Sequence, residues 1–322
     1  MRYVFQRLTR FLIVFFVVTF GVMVLLRLGL DQPGDPARTM LGGIATQEEI
    51  DATTAKFHLD ENYLAQYWHW LRLMVVDQDF GFSVSNNIAV SSLIARRIMI
   101  TVLLGVYALT LALAIAVPLA VHQASRRDRP FDRVANVGSF LLVSVPVIVI
   151  AVVIKLLFVE HWQLFPRIAE KVYPWDDLAE HAYNFTLPAV TLALPAAAIL
   201  TRLLRADLVL TLQSDFVLAA KAKGISRRRI LWRHALPNSM FTLLSSAGVQ
   251  VGVIVGGAVV VETFFDLDGM GLLLIVAVQG SDLFTVQAIV ALLVVAVVVT
   301  NLLVDLLYGA IDPRVRLASD LR

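Results

Sequence analysis

Long unbroken apolar runs constrain this chain more than any other feature. A hydrocarbon core about 30 Å thick needs about 20 consecutive apolar residues per spanning helix. Six stretches of that order are present, near residues 9–30, 99–122, 135–158, 186–208, 239–261 and 284–310. Peptide groups find no water in lipid, so such stretches must bond internally as helices. The runs are continuous rather than alternating, which excludes a β-barrel. The first run, Phe11 to Leu26, follows Arg2, Arg7 and Arg10, as a secretory signal would. It is long, ends at Arg27 and lacks a small-x-small cleavage site, so it reads as a retained span. The expected fold class is therefore an all-α integral membrane protein with six transmembrane helices, residues 1–322 forming one domain.

Pro118, Pro146, Pro188 and Pro195 fall in the second to fourth spans. Each removes an amide donor and is expected to bend its helix. Only 16% of the residues are charged, against about a quarter in soluble proteins, and they sit mostly between the spans. With the N-terminus inside, the cytoplasmic pieces 1–10, 123–134, 202–238 and 311–322 hold 18 basic and 6 acidic residues. The opposite pieces 31–98, 159–185 and 262–283 hold 7 basic and 18 acidic. Basic residues favour the cytoplasmic side, so both termini are expected in the cytoplasm and the protein in the cytoplasmic membrane. Lys155 is expected to snorkel outward.

The external piece 31–98 is too long for a bare loop. Thr46-Gln47-Glu48-Glu49 fits a capping box at a helix start. Leu64, Tyr67, Trp68, Leu71, Met74 and Val75 then recur at helical spacing. With Tyr63 and Trp70, this aromatic helix suits a membrane interface or a platform for an external partner.

The cytoplasmic connection 209–238 carries the most mechanism. Residues 215–223 favour helix, and Gly224 suits a left-handed stop. Ser226 can cap a second helix, and Pro237 fits the first turn of the next span. A helix, a turn and a helix across the membrane face could receive force from a soluble partner. Arg227, Arg228 and Arg229 can rest on anionic lipid or touch that partner. The chain has no Gly-x4-Gly-Lys-Ser/Thr loop, so any ATP-driven step belongs to another chain.

This loop resembles the cytoplasmic loop of ABC importer permeases. The resemblance rests on Asp215, on the small residues Ala219 and Ala220, on Gly224, and on Leu236-Pro237. Leu218 stands where that family usually has a Glu. Further motifs are similar to the dipeptide/oligopeptide/nickel branch, first-subunit type. They are Arg2-Tyr3 with Arg7, Pro33-Gly34-Asp35-Pro36-Ala37, and Leu59-Asp60 through Gln66-Tyr67 to Asp79-Phe80-Gly81. Val261-Glu262-Thr263-Phe264-Phe265 with Gly269-Met270-Gly271, and Asn301 to Tyr308 before Asp312-Pro313-Arg314, complete the set. Asp266-Leu267-Asp268 departs from the branch's usual Trp-Pro pair. The resemblance implies the type I importer permease fold and a coupling loop that docks on an ATPase. It implies a second homologous permease, two ABC ATPase subunits that bind ATP and Mg, and an external substrate-binding protein. The substrate it implies is a di- or oligopeptide, with nickel complexes, haem and oligosaccharides as alternatives, moved by alternating access.

Within the spans, Gly248, Gly252 and Gly256 share one helix face and can admit a close neighbour. Gln250, Ser245 and Ser246 must face protein or a water-filled path. Asp305, one turn from Asn301, is expected to pair with Arg202 or Arg205. His58, His69, His122, His161, His181 and His234 are scattered, and no His-Glu-x-x-His or Gly-x-Ser-x-Gly pattern occurs. No catalytic residue, no metal, no cofactor bound by this chain and no nucleic acid are expected; membrane lipid is the remaining partner. Intramembrane hydrolysis is the competing class.

Overall fold

The computed structural model describes residues 2–30, 36–41, 45–83 and 86–311. Pro33 to Asp35, Asp312 to Arg314 and the side chain of Asp305 lie outside the described residues. Helix dominates. In order, the helices are α1 (Arg2–Leu30), α2 (Pro36–Leu41), α3 (Gln47–Phe57), α4 (Tyr63–Val76), α5 (Val90–Ala95), α6 (Ile98–Ser125) and α7 (Pro130–Ser144). They continue with α8 (Val147–Lys155), α9 (Leu178–Thr211), α10 (Asp215–Ala222), α11 (Arg227–Arg229), α12 (Leu236–Phe265), α13 (Met270–Gln279) and α14 (Leu283–Ile311). Strands β1 (Phe82–Ser83) and β2 (Ile88–Ala89) pair antiparallel, Phe82 opposite Ala89.

Among the described residues, four helical stretches are long and apolar enough to span a bilayer: Val90–Ser125, Leu178–Thr211, Arg227–Phe265 and Leu283–Leu303, or five if the bent pair below is one span. The first expected span lies in α1, whose apolar stretch Phe11–Leu26 is shorter. The third expected span is not one rod. Pro130–Ser144 and Val147–His161 meet at 104°. Val145 is extended (φ −90°, ψ 126°), because the ring of Pro146 crowds its predecessor out of the helical region and supplies no amide. Pro118, Pro188 and Pro195 lie inside unbroken helices.

The chain forms two compact units, Met1–Met99 with Asp268–Val298, and Ile100–Leu267 with Val299–Arg322. In the first, the expected capping box forms: Glu49 receives a hydrogen bond from the Thr46 amide at 2.8 Å while the Glu49 amide donates to the Thr46 hydroxyl. That backbone bond, and then the Thr46 hydroxyl, lower the Glu49 pKa. Helix α4 divides the expected stripe between two faces. Tyr67, Trp70 and Leu71 are buried, whereas Leu64, Trp68 and Val75 are exposed. Tyr67 meets the Thr19 hydroxyl of α1 at 2.7 Å and packs edge-on against Phe16 and Phe20. This face belongs to the core of the unit.

In the second unit, α9 packs along α12 and against α7 and α8. Helix α6 buries Ile100, Leu104, Ala108, Ala112, Ala116 and Ala120, an i+4 ridge whose small side chains allow close approach. Lys155 does not snorkel freely. Its ammonium donates to the Phe264 carbonyl at 2.9 Å and lies over the Phe264 ring. His181 is buried, with its ring nitrogens bonded to the Val172 carbonyl and the Tyr107 hydroxyl.

The glycines of α12 differ from the expected pattern. Gly248 is buried, but Gly256 is exposed and a Cβ built there meets nothing within 4 Å. The tight position is its neighbour Gly257, where a Cβ would lie 2.9 Å from a Leu192 methyl on α9. A large residue at Gly257 overfills that contact, at a cost of about 1–3 kcal/mol. Thermal unfolding of the detergent-solubilised chain should show Gly257→Leu clearly destabilised and Gly256→Ala close to wild type. Equal losses at both sites would contradict the packing described.

Candidate functional site

The connection from α9 to α12 folds in sequence-legible steps. Leu212 closes α9, and Ser214, extended at φ −74°, ψ 154°, precedes the two-turn α10. One face of α10 is apolar and small: Val217 and Ala220 are buried with Ile230 in a small core, supported by Leu212 and Ile225. The opposite face carries Phe216 and Leu218, 44% and 53% exposed, beside exposed Asp215 and Ala219.

Gly224 ends this element at φ +75°. A side chain is strained in that conformation. The turn closes with amide bonds from Gly224 to the Lys221 carbonyl and from Ile225 to the Ala220 carbonyl. Ser226 occupies the cap position of α11 without a side-chain capping bond. From Arg227 the chain runs as one helical stretch to Phe265, with a π-helical turn at Ile230–Ala235. Such a turn relaxes the regular bonding pattern, and Pro237 follows directly with no amide to give. Pro237 thus lies in the first turn of α12, and Leu236 is buried beside it.

One contact ties this loop to the end of α6, and a second ties the end of α9 to the start of α7. The guanidinium of Arg227 donates to the Ser125 carbonyl. Arg205, on the last turns of α9, grips Asp132 through two bonds of 2.6 Å. Asp132 is 2% exposed and also accepts from the Asp128 amide at 2.9 Å. Arg205 thus holds Asp132, and Arg202 stacks over the Phe140 ring at 3.7 Å. A bidentate pair fixes both distance and angle, so it sets the loop of α6–α7 against α9. Asp132 escaped notice in the sequence because it stands among four arginines and reads as a surface charge. A cleft of about 550 Å³ opens here, lined by Arg126, Arg129, Arg227 and Arg228 with His122 and Trp232.

Deeper in the unit, Glu262 is fully buried and accepts from the Thr101 hydroxyl at 2.7 Å. Gln250 is buried on α12 and its Oε1 finds no protein donor; the Thr201 hydroxyl and Gln123 Oε1 are in the same position. Ser246 is half-buried one turn before Gln250, whereas Ser245 is exposed. Ser245 instead joins Thr242, Val249, Val253 and Gly256, all exposed, on one stripe of α12.

Residues 112–317 match the family model described as "Binding-protein-dependent transport system inner membrane component". Residues 1–114 match its N-terminal companion. A probable peptide ABC transporter permease protein of Sinorhizobium fredii is 32% identical over 319 residues, 98% of this chain and 99% of that protein. The dipeptide transport system permease protein of Escherichia coli is 32% identical, over 88% and 90% of the two chains. The glutathione transport system permease protein of the same species is 29% identical, over 98% and 99%.

Removing one partner of a buried ion pair leaves the other charge uncompensated, at about 3–5 kcal/mol. Asp132→Ala should therefore lower the thermal unfolding midpoint sharply, whereas Asp132→Leu with Arg205→Leu should lose less than Asp132→Ala alone. A single variant indistinguishable from wild type would remove the pair from the account.

Proposed function

The chain belongs to the family of binding-protein-dependent transport system inner membrane components, and on that premise we propose how it is energised and what it carries. It is a permease subunit of an ABC importer, and ATP hydrolysis belongs to other subunits. The relatives named above carry peptide, dipeptide or glutathione, and the substrate proposed here is a short peptide. The loop 209–238 lies in the cytoplasm, both termini lie there too, and the membrane is the cytoplasmic one. The complex has two ATPase subunits, which bind ATP and Mg, and one of them docks on α10. A second homologous permease faces the exposed stripe of α12, and an external binding protein delivers peptide to the 31–98 side.

The observation that carries this reading is the division of α10 into two faces. Val217 and Ala220 anchor it to the body of the second unit, while Phe216, Leu218 and Ala219 are left outside. An apolar pair on a polar, arginine-rich surface is suited to a partner's groove. Because α10 is continuous in packing with Ile230, a push on Phe216 moves the start of the helical stretch that ends at Phe265. ATP binding to closed ATPase subunits supplies the differential affinity that any switch between states requires. Ser245 on the α12 stripe, and the unpaired amide oxygen of Gln250 behind it with Ser246, are proposed as groups that meet water or peptide when the cavity opens. Few polar groups suffice, since a path for many peptides must hold each weakly.

Truncating a central apolar contact of a protein interface costs about 2 kcal/mol, roughly a 30-fold loss in affinity. Phe216→Ala with Leu218→Ala should therefore strip the ATPases from the complex during detergent purification and abolish dipeptide uptake. Because both side chains are exposed, the chain itself should remain folded. Full ATPase retention with full uptake would reject the docking role of α10.

A further inference from the structure

Three titratable side chains outside the coupling loop converge where α3 turns into α4. His58 closes α3 in the left-handed conformation, φ 52°, ψ 40°, with its amide bonded to the Thr54 carbonyl. Glu61 lies in the turn that follows, and His69 projects from the second turn of α4. The Nδ1 of His58 is 3.0 Å from Glu61 Oε1, and the Nε2 of His69 is 3.3 Å from Glu61 Oε2. The two imidazoles stack 4.1 Å apart, 5° from parallel. One ligand atom from each of the three residues lies within 4.8 Å of the other two.

We infer that His58, Glu61 and His69 form a binding site for a divalent transition-metal ion of the zinc class, held by two imidazole nitrogens and one carboxylate. The donor set argues for that class. Imidazole suits zinc, copper and nickel, whereas magnesium and calcium take oxygen ligands. Bonds of about 2.0–2.2 Å from each donor require only that the two rings rotate from their stacked arrangement until Nδ1 and Nε2 point to one centre. The turn beneath them is already fixed. The side-chain amide of Gln66, itself buried, donates to the Leu59 carbonyl at 3.2 Å and to the Glu61 carbonyl at 2.7 Å. Asn62 caps α4 by accepting from the Ala65 amide. All three ligands are partly exposed, so an ion can enter and water can complete its shell. Sequence spacing hides the site because His58 and His69 are eleven positions apart and on different helices. Only the αL turn at His58 folds one back onto the other. A bound ion would link the end of α3 to α4 and brace the external segment.

The test is zinc titration of the full chain in detergent, purified through a tag without histidine, read by calorimetry and by metal content. The expected result is one Zn²⁺ per chain at micromolar concentration, undisturbed by millimolar Ca²⁺. Since perturbing even residues behind a ligand costs 10–100-fold in metal affinity, Glu61→Gln and His69→Gln should each weaken binding at least tenfold. His58→Gln with His69→Gln should abolish it, and His161→Gln should leave it unchanged. Thermal melts without metal show whether each variant is folded. Should the double variant not fold, Glu61→Gln, which keeps hydrogen bonding to both rings, decides the matter. Stoichiometric binding that survives these substitutions, or none at 100 μM zinc, overturns the proposal.

Discussion

In hydrocarbon a carbonyl that loses its helical amide has no water to turn to. This chain keeps the rule along its spans and relaxes it at a few defined places. Pro146 breaks the α7–α8 stretch at 104°, and the chain restarts as helix directly after it. Ahead of Pro237 the irregularity is gentler, a π-helical turn that leaves the path of the helix unbroken. Between these departures in sequence lies α9, the most buried of the four long apolar spans among the described residues.

The loop after α9 inherits its position from that helix. Leu212 closes α9 and also packs beneath α10; Ile230 belongs both to the small core under α10 and to the stretch leading into α12. The bidentate Arg205–Asp132 pair anchors the same end of α9 to the preceding connection. An element as short as α10 would not be stable as an isolated helix. It holds its shape because Val217 and Ala220 are buried, and that same burial couples its movement to the body of the protein.

Most of the spans, the capping box, the left-handed stop at Gly224 and the place of Pro237 were legible because each depends on local chemistry. Apolar length, a side chain reaching its own backbone, and a missing amide all act within a few residues. What escaped were facts set by tertiary partners. The sequence offers Arg202 or Arg205 as partners for Asp305, but it gives no sign that Arg205 holds Asp132, at a helix start that charge counting treats as loop. Gly256 and Gly257 are equivalent in composition, and only the placement of Leu192 makes the second one tight. The aromatic run of α4 looked like one interfacial face, whereas Tyr67 turns inward onto α1 and Trp70 is buried beside Tyr67. Histidines judged singly gave no sign that two of them stack.

Energisation of the permease depends most on α10 being presented to the cytoplasm with its outer face accessible. The chain contains no cysteine, so one placed at Ala219 is a clean reporter. A membrane-impermeant maleimide should label it in inverted vesicles and not in intact cells, with labelling reduced when the ATPase subunits are co-expressed. Labelling in intact cells would put the loop outside and contradict the energisation described here.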